Sequence, residues 1–202
     1  VPWEEQAFNT KKYAFAADYI RLYALYHHGG IYLDSDVEIL KSLDNFLELP
    51  YFVGAETSGT IEAAILGAEK GCDWIKCCLD YYEGRNFIRE DGSYDIRMLP
   101  EILNETILRL KPVINMPSGS NIDDLKKKDL GEAVYVLPKE YFSPKVFDSR
   151  EVFLTPETHA IHHYQNSWFS HKAFAYYRTR TLFIKIFGYK AVRSLEKMLL
   201  KR

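Results

Sequence analysis

Residues 13–38, YAFAADYIRLYALYHHGGIYLDSDVE, decide the fold of this chain. The first half carries apolar residues at helical spacing: Tyr13, Ala17, Ile20 and Ala24. That pattern stops at Gly29 and Gly30, which suit a left-handed helix end and a tight turn. The short apolar run at 31–33 then predicts a strand whose side chains alternate between two faces. The stretch therefore predicts a helix, a sharp turn and a strand in direct succession.

Two carboxylates, Asp34 and Asp36, follow at the end of that strand. Side chains two residues apart point the same way while the chain stays extended. Their negative charges would repel each other unless a cation or hydrogen-bond donors lay between them. An Asp-x-Asp by itself is weak evidence because chance supplies it often, but at the end of an apolar strand it indicates a divalent metal site.

The same stretch resembles glycosyltransferase family 32, which includes capsular-polysaccharide transferases and outer-chain mannosyltransferases. The resemblance rests on a block of about twenty residues: Ala17-Asp18-Tyr19-x-Arg21, then Leu25-Tyr26-x-x-Gly29-Gly30-Ile31-Tyr32-Leu33-Asp34-x-Asp36. It implies an α/β fold of the GT-A type, Rossmann-like, with a mixed sheet flanked by helices. It also implies metal-dependent, retaining transfer of a sugar from a nucleotide-sugar donor to a saccharide or lipid-linked acceptor, in surface or capsular polysaccharide synthesis.

The resemblance further implies roles for single residues. Asp18 would bind donor-sugar hydroxyls, Arg21 would brace the site, and Asp34 would reach the ribose and the sugar. Asp36 would bind the metal directly, with Mn²⁺ expected first and Mg²⁺ second. Tyr32 fits the sugar pocket or an aromatic core equally well. From spacing alone, Asp18 and Arg21 share a helix face, which is also compatible with a surface ion pair worth about 0–1 kcal/mol.

Residues 160–168, AIHHYQNSW, are the second informative stretch. They resemble a His…Ser-Trp segment that family members place beside the metal and the diphosphate. By position, His162 is the first candidate metal ligand and His163 the second, because a neutral imidazole binds manganese-type ions well. Ser167 and Trp168 would donate hydrogen bonds to a phosphate oxygen. The alternative is two histidines on opposite faces of a strand, one packed and one exposed.

Other segments give a coarser outline. Short strands are expected at 37–40, 51–55 and 134–137, and helices at 74–82 and from residue 99 or 100 to 110. A short helix or turn is expected at 43–49, while the alanine-rich run 61–70 yields no assignment. Glu56 and Glu62 are two further carboxylates that could contact the acceptor.

Composition narrows the functional class. The 202 residues are 47% hydrophobic and 15% aromatic, which excludes a disordered or collagen-like chain, and the net charge of −2 gives no preference for nucleic acid. The three cysteines, Cys72, Cys77 and Cys78, are odd in number and lack CxxC spacing, so we expect reduced thiols. No apolar run reaches the roughly 18 residues of a membrane span, and no signal peptide is visible. These features predict a cytoplasmic location.

Charge divides the chain into two parts, a catalytic domain at 1–170 and a basic amphipathic helical segment at 171–202. The second part has nine Lys or Arg and one acid, Glu196, which gives +8 and leaves −10 for the first. Apolar residues interleave with these bases, a pattern that fits peripheral binding to the inner, anionic face of a membrane. A helix packed on the domain with a solvated basic face fits equally well.

The start of the chain raises a separate expectation. Relatives have a longer segment before the Asp-x-Asp, which holds the first strand and part of the nucleotide-base pocket, and the sequence shows nothing that resembles it. We therefore expect a fragment with one unpaired sheet edge and weak nucleotide affinity. Two other functional classes stay open: a non-catalytic carbohydrate- or calcium-binding domain, and a metal-dependent phosphohydrolase.

Overall fold

The computed structural model describes residues 1–147, 149–165 and 171–199, with only the backbone for 171–174, 197 and 199. Its first elements are helices α1 (Pro2–Asn9) and α2 (Tyr13–His28) and strands β1 (Gly30–Leu33) and β2 (Val37–Ile39). The helix, turn and strand predicted from residues 13–38 are confirmed. Gly29 ends α2 with a φ of +69°, and a Cβ there would come within 2.7 Å of the backbone nitrogen of Lys70. Glycine is required by the left-handed backbone and by this close approach.

The main sheet is antiparallel and has the strand order β1-β4-β3, in which β3 is Tyr51–Ala55 and β4 is Ile61–Ala68. All eight residues of β4 are buried, so the alanine-rich run without a sequence assignment is the central strand. Small residues make this possible: the Phe52 ring lies against Gly67, where a Cβ would meet it at 2.0 Å. β1 lies at one edge of this sheet.

Two helices follow β4 along the chain, α3 (Asp73–Asp80) and α4 (Leu99–Leu110). They are followed by strand β5 (Val113–Asn115), helix α5 (Ile122–Lys126) and strand β6 (Val134–Val136), and β5 and β6 pair in parallel. A bridge between Gly54 and Leu137 joins the end of β6 to β3. Strand β7 (Ala160–His162) pairs antiparallel with β2. The helices and strands expected from the sequence in this region are present within one or two residues of their predicted bounds.

Hydrophobic side chains cover both faces of the main sheet. One buried cluster packs the four helices α1–α4 against the sheet and includes Trp3, Leu22, Leu66 and Trp74. The other contains Phe46, Phe52, Ile65, Leu125 and Phe142. The mixed α/β class is confirmed. Among the described residues the strands form three small sheets: the antiparallel main sheet, the antiparallel β2–β7 pair and the parallel β5–β6 pair. The GT-A type with its mixed sheet flanked by helices stays a prediction.

The chain ends in helices α6 (His171–Phe187) and α7 (Tyr189–Leu199), which are separated by Gly188 with a φ of +82°. The two helices fold back on each other, since Arg180 Nε donates to Glu196 Oε1 at 2.7 Å. Within the described residues, neither these helices nor any other are long and apolar enough to cross a membrane. The three cysteines are free thiols, as the sequence predicts.

Candidate functional site

The Asp-x-Asp lies in the turn between β1 and β2, and strand pairing brings a distant histidine beside it. The backbone N–H of Asp34 donates to Ala64 O at 2.8 Å, which ties the motif to central strand β4. In the β2–β7 ladder Val37 lies opposite His162, so the imidazole is placed next to Asp36. Residues separated by more than a hundred positions therefore meet at one point.

Asp34, Asp36 and His162 form a cluster whose candidate ligand atoms all lie within 4.8 Å of one another. His162 Nε2 is 3.6 Å from Asp36 Oδ1. Ligands about 2.1 Å from a divalent ion are separated by roughly 3–4.3 Å, a range that includes this histidine–carboxylate distance. Two carboxylates and one imidazole are also a donor set that suits divalent metals such as manganese. The residues present therefore fit a divalent cation.

Arg21 lies behind Asp34 and is shared by two carboxylates. Its Nη2 is 3.1 Å from Asp18 Oδ1 and 3.3 Å from Asp34 Oδ1, and its Nη1 donates to Ala63 O at 2.7 Å. The Arg21 side chain is only 6% exposed, so the interpretation of Asp18 and Arg21 as a surface pair is wrong. The reason is that α2 packs this face against the sheet, which the spacing of the two residues could not reveal.

The pKa of Asp18 reflects this burial. Desolvation raises it from 3.8 to about 7, Arg21 opposes the rise, and the negative charge of Asp34 adds to it. A single guanidinium therefore has to compensate two neighbouring carboxylates. A further positive charge near Asp34, such as a bound cation, would relieve this shortage.

Tyr32 lies beside Asp34 and Arg21 and helps to hold the Asp34 carboxylate in place. Its hydroxyl donates to Asp34 Oδ1 at 2.6 Å, and the Arg21 guanidinium lies 4.7 Å from the centre of its ring. Burial raises the pKa of the Tyr32 hydroxyl above its ordinary value, so the group remains a hydrogen-bond donor. Asp34 is thus fixed by Arg21 and Tyr32, both of which belong to the motif block recognised in the sequence.

Glu62, on β4, holds His162 from the other side. The carboxylate is 1% exposed; its Oε2 lies 3.1 Å from His162 Nδ1 and also accepts from Ser143 Oγ, and its Oε1 accepts from Ala64 N at 2.9 Å. Burial opposes the charge on both partners most strongly, but their mutual hydrogen bond, their opposite charges and the neighbouring groups together outweigh it. As a result, the pKa of Glu62 is lowered and that of His162 is raised. A carboxylate on Nδ1 leaves Nε2 directed at the Asp-x-Asp, as is common for histidines that bind metals.

This role of Glu62 differs from the acceptor contact expected from the sequence, because the side chain is buried behind His162. A signal was present: Glu62 is the one charged residue in the apolar run 61–68, IEAAILGA. Charged side chains are rarely buried without partners, so an acid in a central strand indicates a paired, functional group. Burial and the charge of Glu62 also raise the pKa of neighbouring Glu56 to about 7.

His163 is the weaker of the two histidine candidates, and the structure separates it from the metal cluster. Its Nε2 is 2.8 Å from Glu38 Oε2, and Lys145 Nζ lies 3.3 Å from its Nδ1. Successive side chains of an extended chain point to opposite sides, which is why only one of two adjacent histidines reaches Asp36. Among the described residues, the cluster that could hold a metal ion contains His162 and not His163, and a role of His163 as a ligand stays a prediction.

Asp36 is anchored by the segment that follows β7. The backbone N–H of Gln165 donates to Asp36 Oδ2 at 2.8 Å, and the N–H of His163 donates to the Asp36 carbonyl at 3.0 Å. The two predicted phosphate donors, Ser167 and Trp168, lie outside the described residues. Their role stays a prediction.

Comparison with known proteins agrees with this geometry. Residues 1–53 match the family model described as "Glycosyltransferase sugar-binding region containing DXD motif". Glucan organizing enzyme 1 of Cryptococcus neoformans is 38% identical over 65 residues, which cover 32% of this chain and 18% of that protein. Inositol phosphoceramide mannosyltransferase 3 of Schizosaccharomyces pombe is 35% identical over 71 residues, covering 35% of this chain and 20% of that protein.

An uncharacterized protein of Arabidopsis thaliana is 31% identical over 80 residues, or 40% of this chain and 12% of that protein. The matched segments thus span a fifth or less of each relative. The resemblance seen in the sequence is confirmed: residues 1–53 are similar to the sugar-binding region of glycosyltransferases that carry a DXD motif.

Proposed function

We propose that this chain is the donor-binding part of a metal-dependent, retaining glycosyltransferase of the GT-A type. It would transfer a sugar from a nucleotide-sugar donor to a saccharide or lipid-linked acceptor in surface or capsular polysaccharide synthesis. The observation that carries the proposal is the cluster of Asp34, Asp36 and His162 with the buried Asp18–Arg21 pair beside it. A surface-binding module would not need to bury an arginine and an aspartate behind its metal site.

The residues have distinct tasks in this proposal. Asp36, His162 and Asp34 would hold a divalent ion, Mn²⁺ in first place, whose charge would stabilise the diphosphate as the bond to the sugar breaks. Arg21 keeps Asp34 in place, and Tyr32 donates to the same carboxylate. Asp18 lies on the far side of Arg21 and would accept hydrogen bonds from donor-sugar hydroxyls.

For retention, we favour a front-face route in which the acceptor hydroxyl attacks from the side of the leaving group. The bond from the donor-sugar C1 to the phosphate oxygen breaks while the bond from C1 to the acceptor oxygen forms. The leaving diphosphate takes the proton of the acceptor hydroxyl, so no protein base is required. Glu62 is fully committed to His162 and Ser143, which supports its exclusion as a nucleophile.

The test is calorimetric titration of the chain with GDP-mannose, UDP-glucose and UDP-galactose, each with and without Mn²⁺. GDP-mannose heads the panel because one relative is named a mannosyltransferase. We expect binding of at least one donor that requires Mn²⁺ and is lost in Asp36→Asn, which removes one charge with little change of shape. Unchanged Mn²⁺-dependent binding in Asp36→Asn would contradict the metal assignment.

Two further outcomes separate this function from its alternatives. Binding of Mn²⁺ or Ca²⁺ and of a free saccharide, without any nucleotide sugar, would indicate a non-catalytic carbohydrate- or calcium-binding domain. Hydrolysis of p-nitrophenyl phosphate that depends on Asp36 would indicate a phosphohydrolase. The role of Asp18 is tested with Asp18→Asn, which should weaken binding of the nucleotide sugar much more than binding of the nucleoside diphosphate.

A further inference from the structure

The α6–α7 hairpin exposes large apolar side chains on both of its helices. On α6, the neighbouring side chains Leu182, Phe183, Ile186 and Phe187 are 56%, 45%, 62% and 61% exposed. They lie on one side of the helix because residues three and four apart share a face. On α7, Leu195 and Met198 are likewise exposed, at 52% and 66%. Apolar patches of this kind on a soluble domain mark interaction surfaces.

This surface points away from the part of the hairpin that contacts the domain. The Tyr177 ring packs edge to face on Phe147 at 5.6 Å, which fixes the inner side of α6. Tyr177 precedes Leu182 by five residues, which places it about 140° around the helix from Leu182. Ile184 on α6 and Val192 on α7 are the buried apolar residues of the hairpin among those described. At 100° per residue, Leu182, Phe183 and Ile186 therefore lie on the side of α6 away from Phe147, the outer side of the hairpin.

The charge next to this surface is positive. Arg178 and Lys185 are exposed and lie within one helical turn of Leu182 on either side along the chain, and Lys190 and Arg193 are exposed on α7. Glu196 is the single acid of residues 171–202, and it is bound between the helices by Arg180 and by the Tyr176 hydroxyl. The exposed side chains Lys185, Lys190 and Arg193 are therefore basic groups on a segment of net charge +8.

We propose that the outer side of the α6–α7 hairpin docks on the surface of an anionic lipid bilayer. Apolar side chains flanked by lysine and arginine complement both parts of such a surface, the acyl boundary and the negatively charged headgroups. The remaining −10 of charge lies in residues 1–170, so the chain is electrically polarised and would orient on the bilayer with the hairpin towards it. The hairpin is then a peripheral docking element, separate from the cluster of Asp34, Asp36 and His162.

The experiment measures co-sedimentation of the 202-residue chain with two kinds of vesicle, phosphatidylcholine alone and phosphatidylcholine with about a third phosphatidylglycerol. We expect binding to the anionic vesicles that weakens as salt is raised, and binding to the neutral vesicles that is at least about tenfold weaker. Equal binding to both vesicles, or binding to neither, would overturn the proposal.

Two double variants separate the contributions of the surface. Leu182→Ser with Ile186→Ser should weaken binding by about tenfold or more through loss of apolar contact. Lys185→Gln with Lys190→Gln should weaken it by about thirtyfold, since each basic residue near an anionic surface contributes about a factor of five. Circular dichroism and the thermal midpoint check that both variants fold.

Matched controls carry the same substitutions on exposed positions elsewhere: Leu47→Ser with Leu108→Ser, and Lys70→Gln with Lys139→Gln. Each should bind as the unmodified chain does, and an equal loss in the controls would overturn the proposal. Sedimentation velocity without vesicles tests the rival occupant. A dimer that Leu182→Ser with Ile186→Ser dissociates would assign this surface to a second copy of the chain instead.

Discussion

The two carboxylates of the Asp-x-Asp are held by different parts of the molecule. Asp34 is fixed by Arg21 and Tyr32, which together with Asp18 form the Arg21 side of the site. Asp36 faces His162, which is held by Glu62 and together with it forms the Glu62 side. The first side is built within seventeen residues of one helix-turn-strand unit. The second joins residues a hundred positions apart on strands β4 and β7, so it depends on how two sheets pack together.

The two carboxylates of one motif are therefore held in place by two different sets of contacts, and mutations in the two sets should have different effects. The Arg21 side is a buried charge network, and its loss should act first on folding. The Glu62 side orients a single ligand, and its loss should act first on metal affinity. Four substitutions test this division, in order of decreasing expected effect.

Arg21→Ala should cost the most, about 3–5 kcal/mol of unfolding free energy, because it leaves buried Asp18 and half-buried Asp34 without their shared cation. Urea denaturation measures the loss. The control is Arg89→Ala, whose exposed pair with Asp95 should contribute about 0–1 kcal/mol. A similar small loss in both variants would show that the Arg21 network does not stabilise the fold.

His162→Ala should reduce Mn²⁺ affinity by more than about a hundredfold, because a ligand is lost rather than a group that orients it. His163→Ala is the matched control, since the adjacent imidazole contacts Glu38 and Lys145 instead. Calorimetric titration with Mn²⁺ in the presence of GDP measures both. If His163→Ala had the larger effect, the division between the two histidines would be reversed.

Glu62→Gln should reduce Mn²⁺ affinity by about tenfold, at the lower end of the range for partners that orient a ligand. The amide preserves the shape of the side chain but removes the charge that holds His162 Nδ1. Glu38→Gln, which changes the carboxylate beside the other histidine, should leave the same titration unchanged. Equal affinities for Glu62→Gln and the unmodified chain would contradict the positioning role.

Tyr32→Phe should have the smallest effect, about 1 kcal/mol of unfolding free energy, because it removes one hydrogen bond to Asp34 and keeps the ring beneath Arg21. The urea midpoint of the variant gives this value. A loss as large as that of Arg21→Ala would mean that the tyrosine hydroxyl, not the guanidinium, is the main support of Asp34.

Sequence reasoning reached the Arg21 side because its signals are local. Helical spacing placed Asp18 and Arg21 on one face, and the glycine pair predicted the end of α2 where the structure has it. The alternation of side chains along a strand predicted that Asp34 and Asp36 point the same way at the end of β1. These features follow from backbone periodicity and from the left-handed conformation that glycine permits. What the sequence could not supply was burial: the same spacing describes a surface pair and a buried one.

Tertiary structure decided the Glu62 side, and it placed His162, already the first candidate from the resemblance, beside Asp36. The central position of β4 buries Glu62, and the β2–β7 register turns His162 inward and His163 outward. A strand's neighbours are fixed by long-range pairing, and a shift of one residue exchanges its two faces, so spacing alone could not tell which histidine faces Asp36. The sequence by itself determined which residues end the helix and carry the carboxylates. Strand pairing and packing decided that His162 lies beside Asp36 and that Glu62 lies against His162.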